Sequence, residues 1–130
     1  NSVLFKTEVN FIHADILNSQ THKILSKYDV IVSNPPYVLE SDKEMMAANV
    51  LENEPHLALF VPDSQALMFY KAIANVASQK LHTNGLLYFE IHEHKAKEIL
   101  DMLSRKGFKE IEIKKDLQGK NRMVKAVWKL

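Results

Sequence analysis

The chain has 130 residues, 46% apolar and 25% charged, with a formal net charge of +1 and no cysteine. That length supports one domain with a real core and not two. The near-neutral balance gives no electrostatic footprint for nucleic acid, and the lack of cysteine excludes disulfides and thiolate metal sites. No run approaches the roughly 18 apolar residues of a membrane span. With no signal-peptide pattern in the opening residues, the expected compartment is the cytoplasm.

In chain order the pattern alternates strand and helix. Residues 8–14, with Val9, Phe11 and Ile12 apolar, predict a strand ending at Asp15. Residues 18–27 are a polar connector with scattered Ile24 and Leu25, and its structure is left open. Residues 29–33 hold the β-branched run Val30, Ile31, Val32 of a strand buried on both faces. Asn34-Pro35-Pro36-Tyr37 stops that strand, because proline has no N–H for a ladder and Pro35 drives Asn34 out of the helical region. Residues 40–55 are a long polar stretch in which Ser41 or Asp42 caps a short helix over 43–50. A stretch of that length beside a site reads as a substrate-facing segment.

The clearest helix is capped by Asp63 or Ser64. It carries Leu67, Tyr70, Ile73, Ala74, Ala77 and Leu81 at helical spacing and is closed by Asn84-Gly85. Residues 86–91 form a second strand of the buried type. Residues 94–105 form a second helix with Ala96, Ile99, Leu100 and Leu103 on one face and Gly107 as its stop. Residues 108–115 and 122–130 alternate apolar and polar, and the short link at 117–121 makes them an antiparallel pair. The expected fold is α/β with an antiparallel edge.

An apolar strand that ends in a rigid polar turn places that turn at the carboxyl edge of a sheet, where open α/β folds bind ligands. The carbonyls around Pro35 and Pro36 have no competing donor between them and stand beside the side-chain carbonyl of Asn34. Two acceptors at a fixed angle grip both hydrogens of an NH₂ group and leave the nitrogen lone pair facing an electrophile. Tyr37 then walls the planar group that carries the nitrogen. The turn reads as a cradle for an amide or exocyclic amine awaiting alkylation. Elsewhere, His92-Glu93-His94 lacks an evident third metal ligand and reads as loop after a strand, so no metal is expected. Met45 and Met46 read as exposed or gap-filling residues, and the lysines between 106 and 125 as the wet face of an edge hairpin.

Asn34-Pro35-Pro36-Tyr37 resembles the motif of amino-methyltransferases that use S-adenosyl-L-methionine, among them amide methylators and adenine-N6 or cytosine-N4 DNA methylators. Asn53-Glu54-Pro55-His56-Leu57-Ala58-Leu59, the run from Gly85 to Ile91, and Asp116 with Asn121-Arg122 narrow the resemblance. They are similar to the HemK-type protein-(glutamine-N5) methyltransferases, which modify peptide chain release factors. The likeness runs over essentially the whole chain. It implies the class I S-adenosylmethionine-dependent, Rossmann-like fold, with strand order 3-2-1-4-5-7-6 and the last strand antiparallel.

The resemblance also implies residue roles. Asn34 and Pro35 would bind and orient a substrate glutamine amide as the catalytic pair, with Pro36 and Tyr37 shaping the pocket. Asn34 would lie near the reactive part of the cofactor, Asp15 would approach the adenine amino group, and Ile16 would pack on the ring. The alternative reading of Asp15 is a turn or N-cap residue. Glu54 and Pro55 would belong to the substrate-side loop, with no catalytic role assigned. Direct methyl transfer to nitrogen needs neither a nucleophilic side chain nor a metal. The expected partner is a release factor, with neither direct DNA binding nor membrane attachment.

One departure stands out. The three glycines, Gly85, Gly107 and Gly119, sit at helix stops or loops, so none forms the family's glycine-rich cofactor turn, and the ribose-binding acidic residue is absent. The chain is therefore expected to be the carboxyl-terminal part of a catalytic domain, inactive and without measurable cofactor affinity alone. Residues 30–33 would form an exposed apolar edge, met by the first strand folding back or by another copy. The other readings are a DNA amino-methyltransferase, which should bring a basic cleft, and a non-catalytic α/β interaction module.

Overall fold

The computed structural model describes residue 4, residues 6–39 and residues 60–129. Its elements in chain order are α1 (Thr21–Ile24), β1 (Tyr28–Ser33), β2 (Val38–Leu39), β3 (Phe60–Val61), α2 (Met68–Lys80), β4 (Leu81–Glu90), α3 (Ala96–Arg105), β5 (Lys109–Lys115) and β6 (Asn121–Val127). Short 3₁₀ turns at Asp63–Gln65 and Glu93–Lys95 lead into α2 and α3.

The β-branched run becomes β1, which pairs in parallel with β4, Val30 opposite Leu86 and Ser33 opposite Phe89. A parallel pair requires a long crossover, and the connection containing α2 provides it. β6 then runs antiparallel to both β4 and β5, giving the order β1-β4-β6-β5. This is the 4-5-7-6 end of the expected order, with the last strand inserted between its two predecessors. β2 and β3 form a separate parallel pair.

α2 lies against β1 and β4, α3 lies against β5 and β6, and the two helices touch, so both cover one face of the sheet. Tyr70, Ile73, Ala74 and Ala77 of α2, Leu87 and Phe89 of β4, Ile99 and Leu103 of α3, and Val124 and Ala126 of β6 make one continuous core. Phe89 stands edge-on to Tyr70, with ring centroids 5.2 Å apart. α3 ends in a Schellman arrangement. The Phe108 N–H donates to the Leu103 carbonyl (3.1 Å) and the Gly107 N–H to that of Ser104 (3.0 Å), with Gly107 at φ +98°.

Several expectations from the sequence are corrected. Residues 8–14 form no strand and are exposed. A strand needs a ladder partner for its N–H and C=O groups, and no described strand lies beside them; they do not fold back on β1. The connector does contain structure, the single turn α1, whose Thr21 hydroxyl donates to the Asp15 carbonyl (2.6 Å). α2 begins at Met68 with no side-chain cap at Leu67, so neither Asp63 nor Ser64 is its N-cap.

α2 also ends at Lys80, short of Asn84-Gly85. The chain there is drawn into the sheet instead. The Asn84 N–H donates to the Trp128 carbonyl (2.7 Å), and the Gly85 carbonyl accepts from the Trp128 N–H (2.9 Å). Asn84 takes φ +66°, and a Cβ on Gly85 would stand 2.8 Å from the His82 carbonyl oxygen, which is why a glycine fits. In β5 an extra residue near Glu110 (φ +48°) bulges the strand between the Lys109–Val127 and Glu112–Lys125 pairs.

Among the described residues, β1 is covered on one face only. Ile31 packs on the core, while Val30 is 48% and Val32 74% exposed. Burial on both faces needs a second layer, and the described helices α2 and α3 supply only one. Among the described residues no helix is long and apolar enough to cross a membrane.

The backbone conformation of Gly107 sets a first prediction. A Cβ there meets only Trp128 ring carbons at 3.6 Å and beyond, so Gly107→Ala pays for its positive φ alone. Urea unfolding is expected to show a loss of ~1 kcal/mol for Gly107→Ala and ~3–5 kcal/mol for Phe89→Ala.

Candidate active site

The turn after β1 lies where the parallel strands β1 and β4 both end. Ser33 is level with Phe89, so Asn34-Pro35-Pro36-Tyr37 emerges beside Glu90 and Ile91. Pro35 is buried, Pro36 and Tyr37 are half-buried, and Asn34 is exposed. Proline rings fix the backbone on either side of the buried position, and the Asn34 amide is left facing solvent.

Tyr37 is tied to the neighbouring strand. Its hydroxyl donates to Glu90 Oε1 at 2.6 Å, and its ring meets the His92 ring edge-on, centroids 6.4 Å apart. The Tyr70 hydroxyl of α2 donates to the Glu90 backbone carbonyl at 3.1 Å. Burial first, and then the hydrogen bond and charge of Glu90, push the Tyr37 phenol up to about 12, while the nearby Arg122 guanidinium works in the opposite direction. Burial likewise raises Tyr70.

Arg122 is itself held in place. Its Nε donates to Asp116 Oδ2 at 3.2 Å, and its carbonyl accepts from the Ile91 N–H at 2.9 Å. Asp116 Oδ1 accepts from the N–H groups of Gln118 (2.9 Å) and Lys120 (3.0 Å). These contacts, with the Lys120 N–H the largest influence, hold the Asp116 carboxyl below its usual range. Lys120 Nζ pairs with Glu93 Oε1 at 2.9 Å, which closes this corner of the molecule.

The residues singled out in the sequence separate into three groups. Asn34, Pro35, Pro36 and Tyr37 are together on one turn. Ile16 joins Pro35 and Pro36, but not Asn34 or Tyr37, in lining a cleft of about 550 Å³ at the open edge of β1, with Ser33 and Phe69 also among its walls. Asp15 opens a turn: its Oδ1 accepts from the Leu17 N–H at 2.9 Å, and its backbone carbonyl from the Asn18 N–H at 3.1 Å. Glu54 and Pro55, the capped helix at 43–50, and Met45 and Met46 lie outside the described residues.

His92 and His94 stand with ring centroids 5.4 Å apart. Among the described residues no three His, Cys, Asp or Glu side chains are grouped to hold a metal. Glu90 and Arg122 were visible only as members of resembling segments and carried no role. The signal available was positional: Glu90 closes the apolar run 86–89, so it must share an edge with whatever follows the parallel strand beside it.

A parallel strand pair followed by an antiparallel strand inserted between its predecessors, with a polar turn at the carboxyl edge, defines the class I methyltransferase fold. No protein-family model matches the chain. A solved protein-(glutamine-N5) methyltransferase (release factor-specific) from Alicyclobacillus acidocaldarius superposes with a TM-score of 0.52 at 19% identity, over 85% of this chain and 55% of that one. That likeness concerns the fold. Among curated proteins, the release factor glutamine methyltransferase of Flavobacterium psychrophilum is 46% identical over 126 residues, 97% of this chain and 44% of the relative. That of Bacteroides thetaiotaomicron is 40% identical, over 97% of this chain and 45% of the relative. Over nearly its whole length the chain is similar to release factor glutamine methyltransferases, and it spans less than half the length of these relatives.

The Tyr37 environment predicts an alkaline signature. Because the folded-state pKa lies above the ordinary 10.0, the protonated phenol stabilises the fold fully below pH 10, and this contribution is lost as pH rises through about 12. Urea unfolding across that window should show a larger fall in stability for wild type than for Tyr37→Phe, which keeps only the part due to the buried Tyr70 phenol.

Proposed function

We propose that a protein carrying these residues, together with the remaining length of its relatives, methylates the side-chain amide of a glutamine in a peptide chain release factor, with S-adenosyl-L-methionine as donor. In this reading the 130 residues are the carboxyl-terminal portion of a catalytic domain, and the reaction belongs in the cytoplasm, where translation ends. The observation that supports it most is an exposed Asn34 amide beside the buried, ring-locked Pro35 at the carboxyl end of a parallel strand.

An amide nitrogen is a poor nucleophile because its lone pair is delocalised into the carbonyl. The Asn34 side-chain oxygen and the Pro35 carbonyl accept its two N–H bonds and so fix the direction of the lone pair. Holding that geometry at near-attack distance supplies a large part of the missing rate. As positive charge develops on nitrogen the N–H groups become stronger donors, and the two acceptors bind the transition state more tightly than the ground state. Pro36 and Tyr37 bound the pocket in the plane of the amide.

S-adenosyl-L-methionine supplies an electrophilic methyl group when bound. The described residues fit one wall of such a site. Ile16 lines the cleft shared with Pro35 and Pro36, Asp15 is exposed beside it in sequence, and Asn34 is exposed at the end of β1 next to Pro35.

In the full-length enzyme Asn34→Ala should lower methyl transfer by ~10²-fold or more, as loss of one oriented electrostatic contact does. Near-wild-type turnover of a folded Asn34→Ala enzyme would remove the cradle. With labelled donor, the label is expected in a release-factor glutamine and not in duplex DNA; label in DNA would move the assignment to the DNA amino-methyltransferases.

A further inference from the structure

The Tyr37 hydroxyl is held by groups from outside its own turn. Glu90, at the end of β4, accepts its hydrogen at 2.6 Å. Arg122, at the start of β6, is brought to the same corner because its neighbour Met123 stands opposite Glu90 and its carbonyl accepts from the Ile91 N–H. Its charge acts on the phenol in the direction opposite to Glu90. Each of these is held in turn. Glu90 is anchored by Tyr70 through its backbone carbonyl, and Arg122 by Asp116 through its side chain and by Ile91 through its backbone. The turn is thus fixed at both ends, by proline rings at its backbone and by a carboxylate at the tip of its aromatic ring.

We propose that Glu90 and Arg122 are positioning residues of the site. Glu90 holds the Tyr37 ring by its hydroxyl, with Arg122 fixed at the same corner, so that the amide pocket bounded by Asn34 and Pro35 has a rigid wall before substrate arrives. The inference rests on the reading of the turn as an amide cradle. A phenol held only by its own loop loses ring orientation easily. Here two antiparallel-paired strands, β4 and β6, carry the restraining groups, so the wall moves only if the sheet does. Neither residue touches the reacting atoms. Their influence is carried through Tyr37, and it falls on orientation rather than on substrate capture.

That distinction can be measured in the full-length enzyme, with tyrosine labelled with carbon-13 at Cζ and Tyr37 assigned through Tyr37→Phe. Glu90→Ala is expected to move the Tyr37 titration midpoint downward, and Arg122→Gln to move it upward, opposite signs that a general loosening of the fold does not produce. Glu90→Ala should lower kcat by ~10-fold with KM changed little, the pattern of lost orientation rather than lost binding. Glu90→Gln keeps a carbonyl that accepts the phenol hydrogen and should restore most of the rate. The Tyr37→Phe/Glu90→Ala double variant should lose no more than the larger single loss, because both act through one contact. An unmoved Tyr37 titration in Glu90→Ala, additive losses in the double variant, or a wild-type kcat in Glu90→Ala would each overturn the proposal. A wild-type enzyme that leaves release factor unmethylated refutes the substrate assignment instead, and the Tyr37 titration distinguishes that failure from failure of the positioning contact.

Discussion

Pro35 and Pro36 have no backbone N–H to give, and β1 therefore cannot continue its ladder with β4 beyond Ser33. Nearly everything about the site follows from that missing pair of donors. The chain must leave the sheet at the level of Phe89, at the carboxyl ends of two parallel strands, and it leaves with its backbone torsions fixed by two rings. The side chain just before the prolines points out of the sheet into solvent, and the one just after them is thrown across to Glu90.

The topology sets which groups can meet at that edge. A parallel β1–β4 pair ends both strands on the same side. Because β6 is antiparallel, it begins where β4 ends, with Met123 opposite Glu90. Arg122 is thereby delivered to the corner from the opposite chain direction. A parallel β6 would have placed its first residues at the far edge of the sheet. The inserted antiparallel strand is thus both the mark of the fold class and the means by which a cation reaches Tyr37.

Energetically, the covered face and the open face do different work. Leu87 and Phe89 of β4 and Val124 of β6 are almost fully buried against Ile99 and Leu103 of α3 and the inner face of α2, and this layer holds the strand ends in register. On the other face Val30 and Val32 remain exposed beside the cleft at the β1 edge. The Lys120–Glu93 pair is exposed and the Arg122–Asp116 pair part-buried, and pairs at or near the surface contribute little stability. Their consequence is geometric, since they hold the hairpin end that carries Arg122.

The sequence by itself determined the parts that depend on local chemistry. The Val30–Val32 run forms β1, the i, i+3, i+4 spacing of Tyr70, Ile73, Ala74 and Ala77 forms α2, Gly107 stops α3, and Asn34 to Tyr37 forms the turn. In each case the residues that specify the feature are neighbours in the chain. Tertiary structure decided what depends on a partner far away in sequence. Residues 8–14 have the alternation of a strand but lack a ladder partner among the described residues, so the pattern has nothing to pair with. α2 stopped at Lys80 because Trp128, more than forty positions on, captured the backbone of Asn84 and Gly85. Glu90 and Arg122 carried no local mark of their role. A carboxylate after an apolar run and an arginine opening a hairpin become a site only when a parallel and an antiparallel pairing bring their strand ends to one corner.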